Sequence, residues 1–93
     1  MAELSDSILL AAAAIPSGKV SSYGDLAKLV GCGPRLVARV LSSSGGSVCW
    51  WRAVRSDGTI AAPFLAEAAE RLAGEGVPVH DGRVEMARFR AEL

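Results

Sequence analysis

Apolar positions along this chain fall into short helical rhythms separated by glycine and proline. A first apolar run passes through Leu9 and Leu10 to Ala14. Ser5, Asp6 or Ser7 can cap it, and Pro16 and Gly18 end it. Ser22-Tyr23-Gly24-Asp25 then reads as a capping box. The Ser22 hydroxyl accepts from the Asp25 amide, and the Asp25 carboxylate reaches back. That helix continues through Leu26, Ala27, Leu29 and Val30. Gly31-Cys32-Gly33 forms a tight turn, and Pro34 suits the first position of a helix. The helix over residues 35–41 carries Leu36, Val37, Val40 and Leu41 on one side. Arg35 and Arg39 are four apart and share a face. Two short helices joined by a glycine turn predict a helix-turn-helix with a cationic second helix.

The second half is more irregular. Residues 42–47 read as a flexible Ser/Gly loop, and residues 48–54 as extended or irregular backbone holding Trp50 and Trp51. Asp57-Gly58 is a turn signal between Val54 and Ile60, which predicts a small hairpin, or wing. Leu65, Ala68, Ala69 and Leu72 predict a helix over residues 64–73 that Gly74 ends. Asp81-Gly82 marks another turn, and Met86, Phe89 and Leu93 suit a last short helix packed on the core. The expected fold is mainly α with a small β wing, winged helix-turn-helix-like, as a single domain over residues 1–93.

Composition adjusts this picture in a few places. A chain of 93 residues buries roughly 60–65% of its unfolded surface, enough for one modest core. At 51% apolar residues, disorder is excluded, and the abundance of alanine favours close-packed helices. The net charge of zero argues against nucleic acid, but it hides an asymmetry. Residues 1–56 hold six basic and three acidic groups, net +3; residues 57–93 hold four basic and seven acidic groups, net −3. From Lys19 to Arg55 the one acid is Asp25, so this segment can dock on phosphates while the acidic tail faces away. Cys32, Cys49 and His80 are too few and too scattered for a zinc site, and no cofactor is expected. Free thiols fit a reducing cytoplasm. The apolar run over residues 8–15 follows Glu3 and Asp6 rather than the basic residues of a signal peptide. A cytoplasmic monomer is expected, nucleoid-associated if bacterial.

Candidate chemistry concentrates between Tyr23 and Gly58. A cationic second helix suits a DNA groove, although helix-turn-helix geometry is also simply a way to pack helices. Two adjacent tryptophans in extended backbone face opposite sides, so one of them lines a surface or pocket. Beside Arg52, that surface suits stacking on a nucleobase, worth about 1–3 kcal/mol per base. Enzyme chemistry has little support. His80 stands alone, Glu67 and Glu70 read as solvated, and Cys49 would need Arg52 or Arg55 to lower its pKa.

The segment Ile15-Pro16-Ser17-Gly18-Lys19-Val20-Ser21-Ser22-Tyr23-Gly24-Asp25-Leu26-Ala27 closely resembles the opening of the DNA-binding domain of O6-alkylguanine-DNA alkyltransferases. The Gly-Pro-Arg helix start and the Trp-Trp-Arg-Ala-Val segment follow in the same order, and the likeness runs from about Ile8 to Arg90. Those enzymes read Pro-Cys-His-Arg-Val where this chain has Cys49-Trp50-Trp51-Arg52-Ala53, so Trp50 stands at the reactive cysteine and Trp51 at its activating histidine. That pattern resembles the alkyltransferase-like proteins, a non-enzymatic branch. The resemblance implies binding of O6-alkylguanine in duplex DNA by nucleotide flipping, with nucleotide excision repair proteins as partners. It implies DNA contacts from Ser22, Tyr23, Pro34, Arg35 and Arg39. Tyr23 would press on the phosphate 3′ of the target, and Arg39 would fill the gap in the stack. Counted without gaps from Pro34, the family's arginine falls on Ala38, so Arg35 is the alternative finger. The implied alkylguanine pocket comprises Tyr23, Trp50, Trp51, Arg52, Ser56, Asp57 and Gly58, without the basic residue that some relatives carry further along that loop. Competing readings are a winged helix-turn-helix transcription regulator, an alkyltransferase using Cys49, and an interaction module using the tryptophan pair.

Overall fold

The computed structural model describes residues 2–44, 46 and 48–93. Helix α1 spans Ala2–Ala13, so Ser5, Asp6 and Ser7 lie inside it rather than at its cap. The reason is tertiary. Ile8, Ala11, Ala12 and Ile15 are buried along one stripe, and Leu4 extends the packed stripe by another turn. Strand β1 (Ser21–Ser22) leads into α2 (Tyr23–Val30). Ser22 caps α2 as expected, its hydroxyl accepting from the Asp25 amide at 3.0 Å. The Asp25 carboxylate is engaged elsewhere: Arg90 Nε and Nη2 each donate to it at 2.7 Å. Helix α2 stops at Gly31, φ 90°, with the amides of Gly31 and Cys32 both donating to the Ala27 carbonyl.

Helix α3 spans Pro34–Ser44, longer than the pattern predicts. The expected loop from Ser42 is helical at its start, and there the Ser42 and Ser43 hydroxyls donate back to the Arg39 carbonyl, at 3.1 and 2.9 Å. Residues 45 and 47 of that loop lie outside the described residues. Helices α1, α2 and α3 enclose one apolar cluster, which includes Leu26, Val37, Val40 and Leu41.

A second cluster gathers Val20, Val54, Leu72, Val77 and Val84. Its scaffold departs from the expected wing. Strand β2 (Ala53–Val54) pairs in parallel with β1, Ser21 opposite Ala53 and Ser22 opposite Val54, so its partner is not the chain beyond Asp57-Gly58. The Asp57-Gly58 turn does form, closed by Arg55 N–H to the Thr59 carbonyl at 3.0 Å. Its outgoing arm joins a different hairpin, β3 (Val79–His80) and β4 (Arg83–Val84), through a Thr59–Arg83 bridge. Between these elements α4 runs over Ala62–Gly74. It ends at Gly74 as expected, and the end is sealed by left-handed Gly76, past which the Val77 amide reaches the Leu72 carbonyl at 2.9 Å. Helix α5 (Met86–Phe89) is followed by a tail held beside Val20 on both sides, whereas Leu93 is 48% exposed and adds nothing to the core.

Gly58 holds the turn against β4. Its φ is +88°, and an added Cβ would sit 2.2 Å from the Val84 carbonyl oxygen. Gly58→Ala is expected to cost about 2 kcal/mol, read as a lower urea midpoint. At Gly31 the φ is similar but the space is open. Gly31→Ala is expected to cost about 1 kcal/mol, from backbone strain alone.

Candidate nucleic-acid interface

The first residue of α2, the middle of α3, the segment after α3 and the start of α4 converge on a cavity of about 250 Å³. Trp50, Phe64, Ala61, Leu41 and Ala38 make its apolar wall. Tyr23, Arg39, Ser42 and Arg55 supply the polar groups. The Trp50 and Phe64 rings meet edge-on, centroids 5.9 Å apart at 62°. The volume is room for about eight waters.

Trp50 faces this cavity because of how the chain is wound. Trp50–Arg52 is a turn of 3-10 helix, not extended backbone. Successive side chains in a 3-10 helix diverge by about a third of a turn, so Trp51 points elsewhere. Its indole N–H donates to Glu75 Oε2 at 3.1 Å. Arg52 grips the same carboxylate through Nε and Nη2, at 3.0 and 2.6 Å, and its Nη1 donates to the Ile15 carbonyl at 2.7 Å. The Arg71 guanidinium lies over the Trp51 ring, 4.6 Å from its centroid. Hydrogen bonds from Arg52, then from Trp51, hold the Glu75 carboxyl below its ordinary value of 4.5. Trp51 and Arg52 therefore do not line the cavity. They brace the turn from behind and so set the direction of Trp50.

Tyr23 starts α2 half-buried. Burial pushes its phenol upward, and the nearby Arg55 charge acts in the opposite sense. Ser22 is the buried cap just before it. On α3, Pro34 and Arg35 are exposed and stand clear of the cavity, whereas Ala38 and Arg39 both line it. The family register that falls on Ala38 thus lands at the same rim as Arg39. Ser56, Asp57 and Gly58 are not part of the wall. Gly58 is pinned to β4 by the Val84 amide, and the Asp57 carboxylate is taken by the Thr59 amide and hydroxyl at 3.0 and 2.7 Å. Ser56 borders a separate pocket of about 270 Å³ with Ser22 and Gly24.

Leu41, Ser42, Arg55, Ala61 and Phe64 are wall residues outside the expected pocket, and Phe64 stays 42% exposed despite its size. Cys49 is not in the wall, and its thiol donates to the Ala12 carbonyl at 3.2 Å. The ion pairs among the described residues engage Arg52, Arg71 and Arg90, which leaves Arg35, Arg39 and Arg55 outside any pair. The cavity therefore sits in a field of unneutralised positive charge. Among the described residues no three His, Cys, Asp or Glu side chains gather as a metal site, and no helix is long and apolar enough to cross a membrane. A wider groove of about 760 Å³ between α2 and the C-terminal tail shares no lining residue with this cavity.

Residues 3–77 match the family described as 6-O-methylguanine DNA methyltransferase, DNA binding domain. The DNA base-flipping protein of Escherichia coli (strain K12) is 40% identical over 85 residues, covering 84% of this chain, and the chain spans 66% of that relative's length. The DNA base-flipping protein of Vibrio parahaemolyticus is 31% identical over 83 residues, 82% of this chain and 83% of the relative. The crystal structure of S. pombe Atl1 in complex with damaged DNA containing O6-carboxymethylguanine superposes with a TM-score of 0.91 at 26% identity, over 100% of this chain and 98% of that one. The S. pombe ATL structure in complex with DNA gives a TM-score of 0.86 at 28% identity, with the same coverage. The chain belongs to the 6-O-methylguanine DNA methyltransferase DNA-binding-domain family, among its alkyltransferase-like members.

Proposed function

We propose that this protein binds duplex DNA as a monomer, turns an O6-alkylated guanine out of the stack into the Tyr23–Trp50 cavity, and leaves it chemically unchanged as a mark for nucleotide excision repair proteins. The observation that carries this reading is Trp50 facing a 250 Å³ cavity beside the cationic helix, at the position where the related enzymes carry cysteine. The similarity to base-flipping proteins and to a complex with damaged DNA supports it.

The physical steps follow from the residues. Rotating a nucleotide out costs a few kcal/mol, and less when alkylation has spoiled the pairing edge. Tyr23, at the start of α2, presses on the target strand. Arg39, at the cavity rim, fills the vacated place in the stack. Trp50 and Phe64 then offer ring faces and edges to the base and burial to its alkyl group. Among the described residues no thiol faces the cavity, because Trp50 stands in the cysteine's place and the Cys49 thiol is turned to Ala12.

A fluorescence titration tests the proposal. Duplexes containing O6-methylguanine are expected to bind at least about tenfold tighter than unmodified ones, with quenching of Trp50 on stacking; equal affinities refute it. Arg39→Ala is expected to weaken binding of the modified duplex about tenfold, mostly removing the preference. Arg35→Ala, exposed and clear of the cavity, is expected to weaken both duplexes alike and to flatten the salt dependence by about one unit of slope.

Trp50→Cys is expected to acquire no alkyl group from modified DNA, read as unchanged protein mass. Trp51 occupies the activating position, and its indole is committed to Glu75.

A further inference from the structure

We propose that Arg55 reads the charge of the adduct, making the cavity prefer O6-alkylguanines that end in a carboxylate over neutral adducts of the same size. This rests on the cavity being the lesion pocket. Two guanidinium groups and no carboxylate belong to its wall. Arg39 projects from α3, the helix that meets the duplex, and is engaged by the stack. Arg55 enters from another element and remains available. It follows β2, whose Ala53 and Val54 are buried and paired with β1, and its backbone is closed into the turn by Thr59 and Gly58. Its Cα is therefore well held while its side chain is not committed.

The hydrogen bond from that side chain is a long one, Nη1 to Thr59 Oγ1 at 3.4 Å, and it forms no ion pair among the described residues. The acid nearest in sequence, Asp57, is already satisfied by Thr59. The charge of Arg55 is felt at the Tyr23 phenol within the wall. Apart from the two guanidinium groups, the lining is apolar except for the neutral hydroxyls of Tyr23 and Ser42, and the Ser42 hydroxyl already donates to the Arg39 carbonyl. It can bury an alkyl chain, but it offers no opposite charge to a carboxylate, whose lost hydration neutral hydroxyls compensate poorly. An Arg55–carboxylate pair supplies that compensation through charge-assisted hydrogen bonds, and a neutral adduct gains none of it.

The test compares four duplexes in titrations with the full chain: O6-carboxymethylguanine, its neutral near-isostere O6-carbamoylmethylguanine, O6-methylguanine and unmodified guanine. The wild type is expected to bind the carboxymethyl duplex about tenfold tighter than the carbamoylmethyl one. Arg55→Gln is expected to bring that ratio to about one or below, weakening the carboxymethyl duplex by a clearly larger factor than the methyl one, and Arg55→Lys to retain part of the preference. A wild-type ratio of one or less overturns the proposal. So does an Arg55→Gln variant that weakens all four duplexes by one factor, which would make Arg55 a backbone-phosphate contact. If modified duplexes bind tightly without regard to charge, this inference fails and the lesion pocket stands. If none binds tighter than unmodified DNA, both fail together.

Discussion

Glu75→Ala is expected to lower stability by about 3 kcal/mol, or roughly 15 °C in Tm for a chain of this size. One carboxylate accepts hydrogen bonds from both Trp51 and Arg52, and the two side chains of the ion pair are each only 15% exposed. Removing it leaves a largely buried guanidinium and an indole N–H without their acceptor, which usually costs about 3–5 kcal/mol; the lower end applies here because some solvent reaches the pair. Glu75→Gln keeps an acceptor but not the charge, and is expected to cost about half as much. Thermal unfolding followed by circular dichroism checks both values. A loss below about 1 kcal/mol for the alanine variant would show that Glu75 is not the brace.

The same pair sets a pH dependence. The Glu75 carboxyl is held below its ordinary value of 4.5 in the folded protein, chiefly by Arg52. On acidification the unfolded chain therefore takes up its proton first. The stabilisation is complete at neutral pH and declines as pH falls below about 4.5. Asp25, held below its ordinary 3.8 mainly by Arg90, adds a smaller loss at lower pH because Arg90 is well exposed. In Glu75→Gln the acid-side decline is expected to be shallower than in the wild type.

Trp50→Ala is expected to reduce affinity for an O6-methylguanine duplex roughly thirty-fold, about 2 kcal/mol, with little change for unmodified DNA. Trp50 contributes the largest ring of the cavity wall, and Phe64 packs on its edge. Truncation removes the stacking face and slackens Phe64 as well. Because Trp50 is only half-buried, the cost in folding stability is expected to be about 1 kcal/mol, so the variant remains folded at 25 °C. Trp50→Phe is expected to recover most of the binding. The quenching signal should vanish in both variants, since the remaining Trp51 is locked between Arg71 and Glu75. Equal weakening of modified and unmodified duplexes would instead make Trp50 a general DNA contact.

The helix-turn-helix was legible because its signals are local. Ser22 as a cap, Gly31 as a left-handed stop, Pro34 as a first residue and the Arg35/Arg39 spacing all act within one or two turns. That one tryptophan of the pair lines a pocket was legible too, although the two diverge by a third of a turn in a 3-10 helix rather than facing opposite sides of a strand. Less local features differ from the pattern. The wing was assigned to residues around Asp57-Gly58 because a turn signal there is real; pairing of β2 with β1 gave the incoming arm another partner and moved the hairpin to residues 79–84. Helix α1 began before its serine caps because burial of Leu4 and Ile8 outweighed them. Helix α4 ends at Gly74 as the pattern has it, and the left-handed residue that seals the end is Gly76.

The sequence by itself determined the family, the cationic second helix and the replacement of the enzymes' cysteine and histidine by two tryptophans. It did so because motif, cap and spacing are properties of neighbouring residues. Only the tertiary structure decided that Trp50 joins the cavity while Trp51 and Arg52 brace it, and that Phe64 and Arg55 complete the wall. Those outcomes depend on partners distant along the chain, such as Glu75 for Trp51, Ile15 for Arg52 and Arg90 for Asp25, and spacing alone cannot pair groups that only folding brings together.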